Sequence, residues 1–248
     1  MSIRNLKMTV AYEGTGYAGF QSQKNGAPTV QETLEQAIVK ITGAADIRLT
    51  AAGRTDAGVH AKGQVVNFQS GSNLAGDSLV KALNAVLPDD ILVKDAVEME
   101  LGFHARYSAK SKTYSYRIYN RESRPLFERN FVCHYRYPLK WEPMREAVAL
   151  LLGTHDFKSF QAAGSAVKTT ERTVNYCRLF KEGAEITMVI NADGFLYHMV
   201  RNIVGTLILV GAERLKVTDF ERVIAARDRK AAGPTAPALG LCLEEVFY

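Results

Sequence analysis

A chain of 248 residues, 47% hydrophobic and 23% charged, can bury a core as one large domain or two moderate ones. Its net charge of +5 permits a polyanionic partner without requiring one, so the placement of the cations matters more than their sum. Cys133, Cys177 and Cys242 are odd in number and far apart, and they support neither a disulfide framework nor a zinc site; a reducing, cytoplasmic setting fits them best. Met1–Val10 lacks the apolar core of a signal peptide. Phe195–Val210, the longest apolar stretch, is broken by His198, Arg201 and Asn202 and is too short to span a bilayer, so a soluble protein with no membrane partner is expected.

Leu6–Tyr12 alternates like a strand and runs into the glycine-rich Glu13–Gln23. Thr29 and Glu32 are spaced as a capping box for a helix whose apolar stripe is Val30, Leu34, Ala37, Ile38 and Ile41, with Gly43 as its stop. Ile47–Ala52 and Gln64–Gln69 read as strands, Leu79, Leu83, Val86 and Leu87 as a helix ended by Pro88, and Ile91–Val97 as a strand. The resulting β-α-β-β-α-β order is the ferredoxin-like unit.

The second half is similar in outline. Lys112–Tyr119 and Phe131–Tyr137 read as strands, and Pro143–Leu152 as a helix with proline near its start and Gly153 past its end. Val174–Phe180 and Glu185–Ala192 form a hairpin around Glu182-Gly183, Phe195–Val210 a buried helix, Thr218–Ala226 a helix with a Thr218/Glu221 capping box, and Leu241–Tyr248 a final strand. An N-terminal α/β subdomain over residues 1–104 and a C-terminal one over 105–248 are expected, with the site in a cleft between them.

The most informative stretch is Gly53-Arg54-Thr55-Asp56-Ala57-Gly58-Val59-His60-Ala61. Flanking glycines let the backbone turn sharply and a ligand come close, so Asp56 is presented as a nucleophile or base. The same residues suit an ordinary turn. Arg106–Arg129 interleaves Arg106, Lys110, Lys112, Arg117, Arg121, Arg124 and Arg129 with Tyr107, Tyr114, Tyr116 and Tyr119, a pattern that fits an RNA surface or a solvated charged face. If Tyr114 faces the cleft, its ring can stack on a base. Arg201 sits in an apolar run and needs a partner; a carboxylate such as Asp56 would serve, and a structural ion pair or a snorkelling side chain are the alternatives. Ala232–Leu241 is a proline-stiffened loop that either lines a pocket with Leu241 or merely connects. Tyr12–Gln23 has no Gly-Lys-Ser/Thr and is no nucleotide P-loop.

Together with Lys112-Thr113-Tyr114-Ser115-Tyr116, Gly153-Thr154-His155-Asp156-Phe157, Phe195–Gly205 and Thr235–Leu241, these motifs resemble the TruA family of tRNA pseudouridine synthases, in the family's order across nearly the whole chain. Phe20 departs from the tryptophan common in that family. The resemblance implies isomerisation of uridine to pseudouridine at tRNA positions 38, 39 and 40 in the anticodon stem-loop, after base flipping. It implies Asp56 as nucleophile, Tyr114 packed on the base and placed as a general base, Arg201 paired with Asp56, Arg54 holding the flipped nucleotide and Leu241 lining the pocket. It further implies a homodimer that uses no metal or organic cofactor. The implied fold is two ferredoxin-like α/β subdomains sharing a mixed, largely antiparallel sheet, with helices on one side and a central active-site cleft. The chemistry agrees: breaking N1–C1′ and joining C5 to C1′ needs no redox partner. Attack at C1′, addition at C6 and a glycal route all remain open. The rival readings are a non-catalytic RNA-binding protein of the same fold and a carboxylate hydrolase, which would want a second carboxylate or a metal cluster.

Overall fold

The computed structural model describes residues 3–23, 26–164 and 167–248. In chain order its elements are β1 (Arg4–Tyr12), α1 (Val30–Thr42), β2 (Thr50–Ala51), β3 (His60–Ser70), α2 (Gly76–Asn84), β4 (Ile91–Met99), β5 (Ser111–Tyr119), β6 (Cys133–His134), α3 (Trp141–Ala149), β7 (Gly153–Asp156), β8 (Glu171–Glu182), β9 (Glu185–Ala192), α4 (Met199–Gly211), α5 (Val217–Ala226) and β10 (Leu241–Phe247). The architecture is α+β, with mixed strand pairing and flanking helices. Among the described residues, no helix is long and apolar enough to cross a membrane.

Two compact units divide the chain, one made of residues 1–110 and 242–248, the other of 111–241. The expected division at 104/105 differs from this at both ends of the first unit. The reason lies in local hydrogen bonds. The Tyr248 hydroxyl donates to the Ala105 carbonyl (2.8 Å) and the Lys110 amide to the Phe247 carbonyl (2.8 Å). Buried Asn67 donates to Asn5 (2.9 Å) and accepts from the Ala105 amide (2.8 Å), holding the 100–110 segment to the first unit.

In the first unit, β1 pairs antiparallel with both β3 and β4. The far edge of β3 is shared: β2 takes Val66 and Asn67 antiparallel, and β10 takes His60 and Ala61 parallel. Leu6, Met8, Val10 and Tyr12 are the buried set of β1, as strand alternation requires. Val30, Leu34, Ala37 and Ile38 of α1 and Leu79 and Leu83 of α2 complete the core, while Ile41 is only half-buried. Ile47–Ala52 pairs only at Thr50 and Ala51, because the Leu49 amide is taken by the Glu35 carboxylate (2.9 Å).

In the second unit, β5, β9, β8 and β7 form successive antiparallel pairs, and β6 runs parallel to β5. Phe131–Tyr137 reduces to two paired residues, since the Asn120 side chain donates to the Tyr135 and Tyr137 carbonyls (2.8 and 2.7 Å). The Phe195–Val210 helix begins only at Met199, preceded by His198 in the left-handed region (φ 59°). The expected Thr218/Glu221 box is replaced two residues earlier, where Asp219 accepts from the Lys216 amide (3.1 Å). Phe220 of α5 meets Phe160, and Phe160 meets Phe157, as tilted ring pairs with centroids 5.9 and 6.2 Å apart.

The N-cap of α1 is the expected Thr29, with Glu32 engaged through the Thr29 hydroxyl in place of the backbone amide of a capping box. Buried Thr29 accepts from the Glu32 amide (3.3 Å) and donates to the Glu32 carboxylate (2.9 Å). Thr29→Ala is expected to cost about 1–2 kcal/mol, measurable as a lowered urea midpoint at unchanged slope.

Candidate active site

The Asp56 loop connects β2 to β3, and its shape is set by the segment after β1. Tyr12, at the end of β1, hydrogen-bonds through its hydroxyl to Thr55 Oγ1 at 2.7 Å, with both groups buried. Burial pushes the Tyr12 phenol well above its ordinary range, so it stays a neutral hydrogen-bonding group. The Phe20 amide donates to the Thr55 carbonyl (3.0 Å), and the Val59 amide closes the turn onto the Asp56 carbonyl (3.1 Å). Gly19 lies against this turn at φ +105°, where an added Cβ would sit 2.9 Å from the Thr55 carbonyl oxygen. His60 is buried, and its Nδ1 accepts from the Gly14 amide (3.1 Å), a role that needs an unprotonated Nδ1. Gln64 reaches from β3 to the Gly53 carbonyl (2.7 Å).

Two segments from the sequence therefore form one object. Residues 12–20, which carry no phosphate-loop signature, are the brace for residues 53–60. Asp56 is half-buried on this brace and Arg54 is exposed. His60, whose part the sequence leaves open, holds the loop rather than standing beside it.

The second unit organises Tyr114, Arg201 and Leu241. Tyr114 lies on β5 opposite Ile190 of β9, and it is buried. The ring of Phe195 meets it edge-on, with centroids 4.9 Å apart. That contact accounts for the late start of α4: Phe195 is held against β5, and the Tyr197 carbonyl is taken by the Ala162 amide (3.0 Å).

Arg201 is half-buried in the first turn of α4, and its Nε donates to the Ala236 carbonyl (2.8 Å). The Ala236 amide donates back to the Arg201 carbonyl (3.1 Å). Asn202, fully buried, accepts from Thr235 Oγ1 (2.6 Å) and from Arg229 (3.1 Å), and donates to the Phe160 carbonyl (2.8 Å). Gly205 lets the Pro234 carbonyl approach where any Cβ would collide with it. The Tyr116 hydroxyl donates to the Pro237 carbonyl (2.7 Å). Thr235–Leu241 is thus laced to α4 and β5 along its length, and it ends on buried Leu241. This is no slack connector.

The sequence alone assigns no individual role to Tyr12, Thr55, Phe195, Asn202, Arg229 or Thr235. All but Arg229 lie within the motif stretches that carry the resemblance, so the signal was the motif and not the single residue. The Arg106–Arg129 reading needs one revision: Arg117 is held by Glu185 in a two-point ion pair (2.7 and 2.7 Å) and is half-buried. That pair also draws the Glu185 carboxyl below its usual range. Cys133 and Cys177 are free and buried, and burial raises both thiols. Among the described residues, no group of three or more His, Cys, Asp or Glu side chains is placed to hold a metal ion.

A family model described as tRNA pseudouridine synthase matches residues 8–108 and 147–248, which include all of these loops. The chain belongs to that family. A tRNA pseudouridine synthase A 2 from Clostridium perfringens is 47% identical over 246 residues, covering 99% of this chain and 100% of that protein. The tRNA pseudouridine synthase A of Moorella thermoacetica is 49% identical over 244 residues, covering 98% and 99%. That of Caldicellulosiruptor bescii is 48% identical over 246 residues, covering 99% and 100%. In this chain the loop bearing Asp56 and the loop that ends on Leu241 are each held by buried polar contacts.

Thr235 tests the lacing directly. Thr235→Val keeps the shape and removes the hydroxyl from Asn202 and Arg229, and is expected to cost about 1–3 kcal/mol. Thr235→Ser is expected to stay within about 1 kcal/mol of the parent in the same urea titration, because the hydroxyl remains.

Proposed function

We propose that this chain converts uridine to pseudouridine at positions 38, 39 and 40 of the tRNA anticodon stem-loop, with Asp56 as its nucleophile. Family membership carries the reaction class, tRNA pseudouridine synthesis. The observation that supports Asp56 is its presentation on a loop braced by Tyr12, Gly19 and Phe20, which leaves the loop little freedom to reorganise during reaction.

The isomerisation breaks N1–C1′, turns the uracil and forms C5–C1′. C5 gives up a proton and N1 regains one, so atoms balance without any donor or oxidant. The Asp56 carboxylate serves as the nucleophile in this exchange. Tyr114 packs on the flipped base, and its hydroxyl relays the C5 proton. Arg54 is exposed and so available to a phosphate of the flipped nucleotide. Arg201 and Leu241 bound the nucleotide from a rigid loop and helix. Extruding a base costs a few kcal/mol, which phosphate contacts by the basic residues offset.

The β1–α1–β2–β3–α2–β4 order of the first unit, with β1 antiparallel to both β3 and β4, supports the ferredoxin-like reading of that unit. The resemblance also supports a cytoplasmic homodimer working without metal or cofactor, for which light scattering and activity after chelation are the direct measurements.

Asp56→Asn is expected to reduce pseudouridine formation by at least about a thousandfold while tRNA binding is retained. Mass spectrometry of tRNA incubated with each protein reads both the extent and the position of modification. Turnover near that of the parent would remove Asp56 from the chemistry and favour a non-catalytic RNA-binding protein. Affinity for tRNA is expected to fall steeply from about 50 to 200 mM salt.

A further inference from the structure

The second unit carries a depression lined by none of the residues given a part in the reaction above, although its Arg121 belongs to the basic Arg106–Arg129 stretch. Its volume is about 480 Å³, and Asn120, Arg121, Glu122, Arg136, Tyr137 and Lys181 are among its lining residues. That size suits a nucleotide-sized group. These residues fall between the two blocks matched by the family model, residues 8–108 and 147–248, except for Lys181.

Its walls are held by Asn120, which follows β5. The Asn120 side chain donates to the Tyr135 and Tyr137 carbonyls (2.8 and 2.7 Å) and accepts from the Leu139 amide (3.1 Å). The Asn120 amide itself donates to the Ala184 carbonyl in the β8–β9 turn (2.7 Å). One half-buried amide thereby ties the 135–139 segment beside the hairpin that bears Lys181. The depression is preformed.

Its charge is one-sided. Arg121, Arg136 and Lys181 face one carboxylate, Glu122, which lies 3.8 Å from Arg136 with its side chain 87% exposed. A pair that exposed and that long is worth little and yields readily to a stronger anion. Among the described residues, Arg121 and Lys181 have no ion-pair partner within 4.0 Å. The Tyr137 ring is 58% exposed, with the Arg136 guanidinium 5.4 Å from its centroid. Cations beside an exposed aromatic face are the components of a site for a phosphodiester with an unstacked or edge-exposed base.

We propose that this depression is a second tRNA contact, taking a backbone phosphate on Arg121, Arg136 and Lys181 and a neighbouring base or sugar on Tyr137. The proposal rests on the tRNA reading above and adds to it where the chain holds the polymer. Asn120 lies six residues beyond Tyr114 along β5, roughly 20 Å at the rise of a strand. A single nucleotide does not span that distance, so a ligand that engages both Tyr114 and the depression is a polynucleotide.

The test uses the full chain with Arg121→Ala and Lys181→Ala, singly and together, and with Tyr137→Leu. Binding of unmodified tRNA is measured over a salt series, alongside the thermal midpoint and single-turnover pseudouridine formation at saturating tRNA. The double variant is expected to bind about tenfold more weakly and to lose about two from the slope of log affinity against log salt. Its single-turnover rate at saturation and its thermal midpoint are expected to match the parent. Tyr137→Leu is expected to weaken binding with the salt slope unchanged. Parent-like affinity and slope in the double variant overturn the proposal. So does an equal loss of affinity for uridine monophosphate, which marks a mononucleotide site instead. A parent chain that binds tRNA but forms no pseudouridine would overturn the function above while leaving this contact standing.

Discussion

The hydrogen bond between Tyr12 and Thr55 is the contact on which the candidate site most depends. It joins the end of the central strand of the first unit to the residue immediately before Asp56. β1, like β3, is paired on both sides, which leaves it little freedom to move. The loop inherits that rigidity through one hydroxyl pair and the Phe20–Thr55 backbone contact. Both partners are neutral and buried, so the brace adds no charge beside the carboxylate. Gly19 makes the arrangement possible, because any side chain at φ +105° would strain the backbone and crowd the turn.

The second unit solves the same problem with different parts. There a helix, not a strand, is the anchor, and Asn202 is the joint. Its amide satisfies one acceptor and two donors from segments remote in sequence, Phe160, Arg229 and Thr235. A fully satisfied buried amide of this kind has few alternative arrangements, since each would leave a polar group unpaired. The consequence passes to Arg201 and Leu241, which flank the joint on the helix and on the loop. In both units, then, the residues proposed to meet the substrate are neighbours of the residues that hold the loop.

Much of this was legible in the sequence, and three of the failures share a cause. The apolar stripe of α1, the Thr29 cap and the β8–β9 hairpin follow from periodicity and turn chemistry, and the structure has them. Asp56, Tyr114, Arg201 and Leu241 were visible as residues out of keeping with their surroundings, or as parts of a family pattern. What the sequence did not disclose was side chains that replace strand or helix hydrogen bonds. Asn120 takes the carbonyls that a Phe131–Tyr137 strand would use, and Glu35 takes the Leu49 amide. The start of α4 was lost to Phe195, whose apolar character reads as helix but whose ring belongs to Tyr114. These three failures are contacts between residues remote in sequence overriding a local preference, which no short window reports; the displaced cap of α5, from Thr218/Glu221 to Lys216/Asp219, is a local one.

The same contacts decide what the net charge of +5 means. Arg4, Arg117, Arg145, Arg222 and Arg227 have carboxylate partners within 3.2 Å. Arg117 in particular leaves the row of cations that the sequence between Arg106 and Arg129 seemed to offer to RNA. Its bidentate hold on Glu185, which lies opposite Tyr119, links β5 to β9 diagonally across the ladder. A phosphate would have to displace a carboxylate that matches the guanidinium fork at both oxygens. Arg121, four residues on, has left the strand and has no such partner among the described residues. The strand thus spends its first arginine on its own pairing, and the loop beyond it offers the next one to solvent. A polyanion meets the cations that the fold has not already neutralised, and Arg121, just past the end of β5, is one of them.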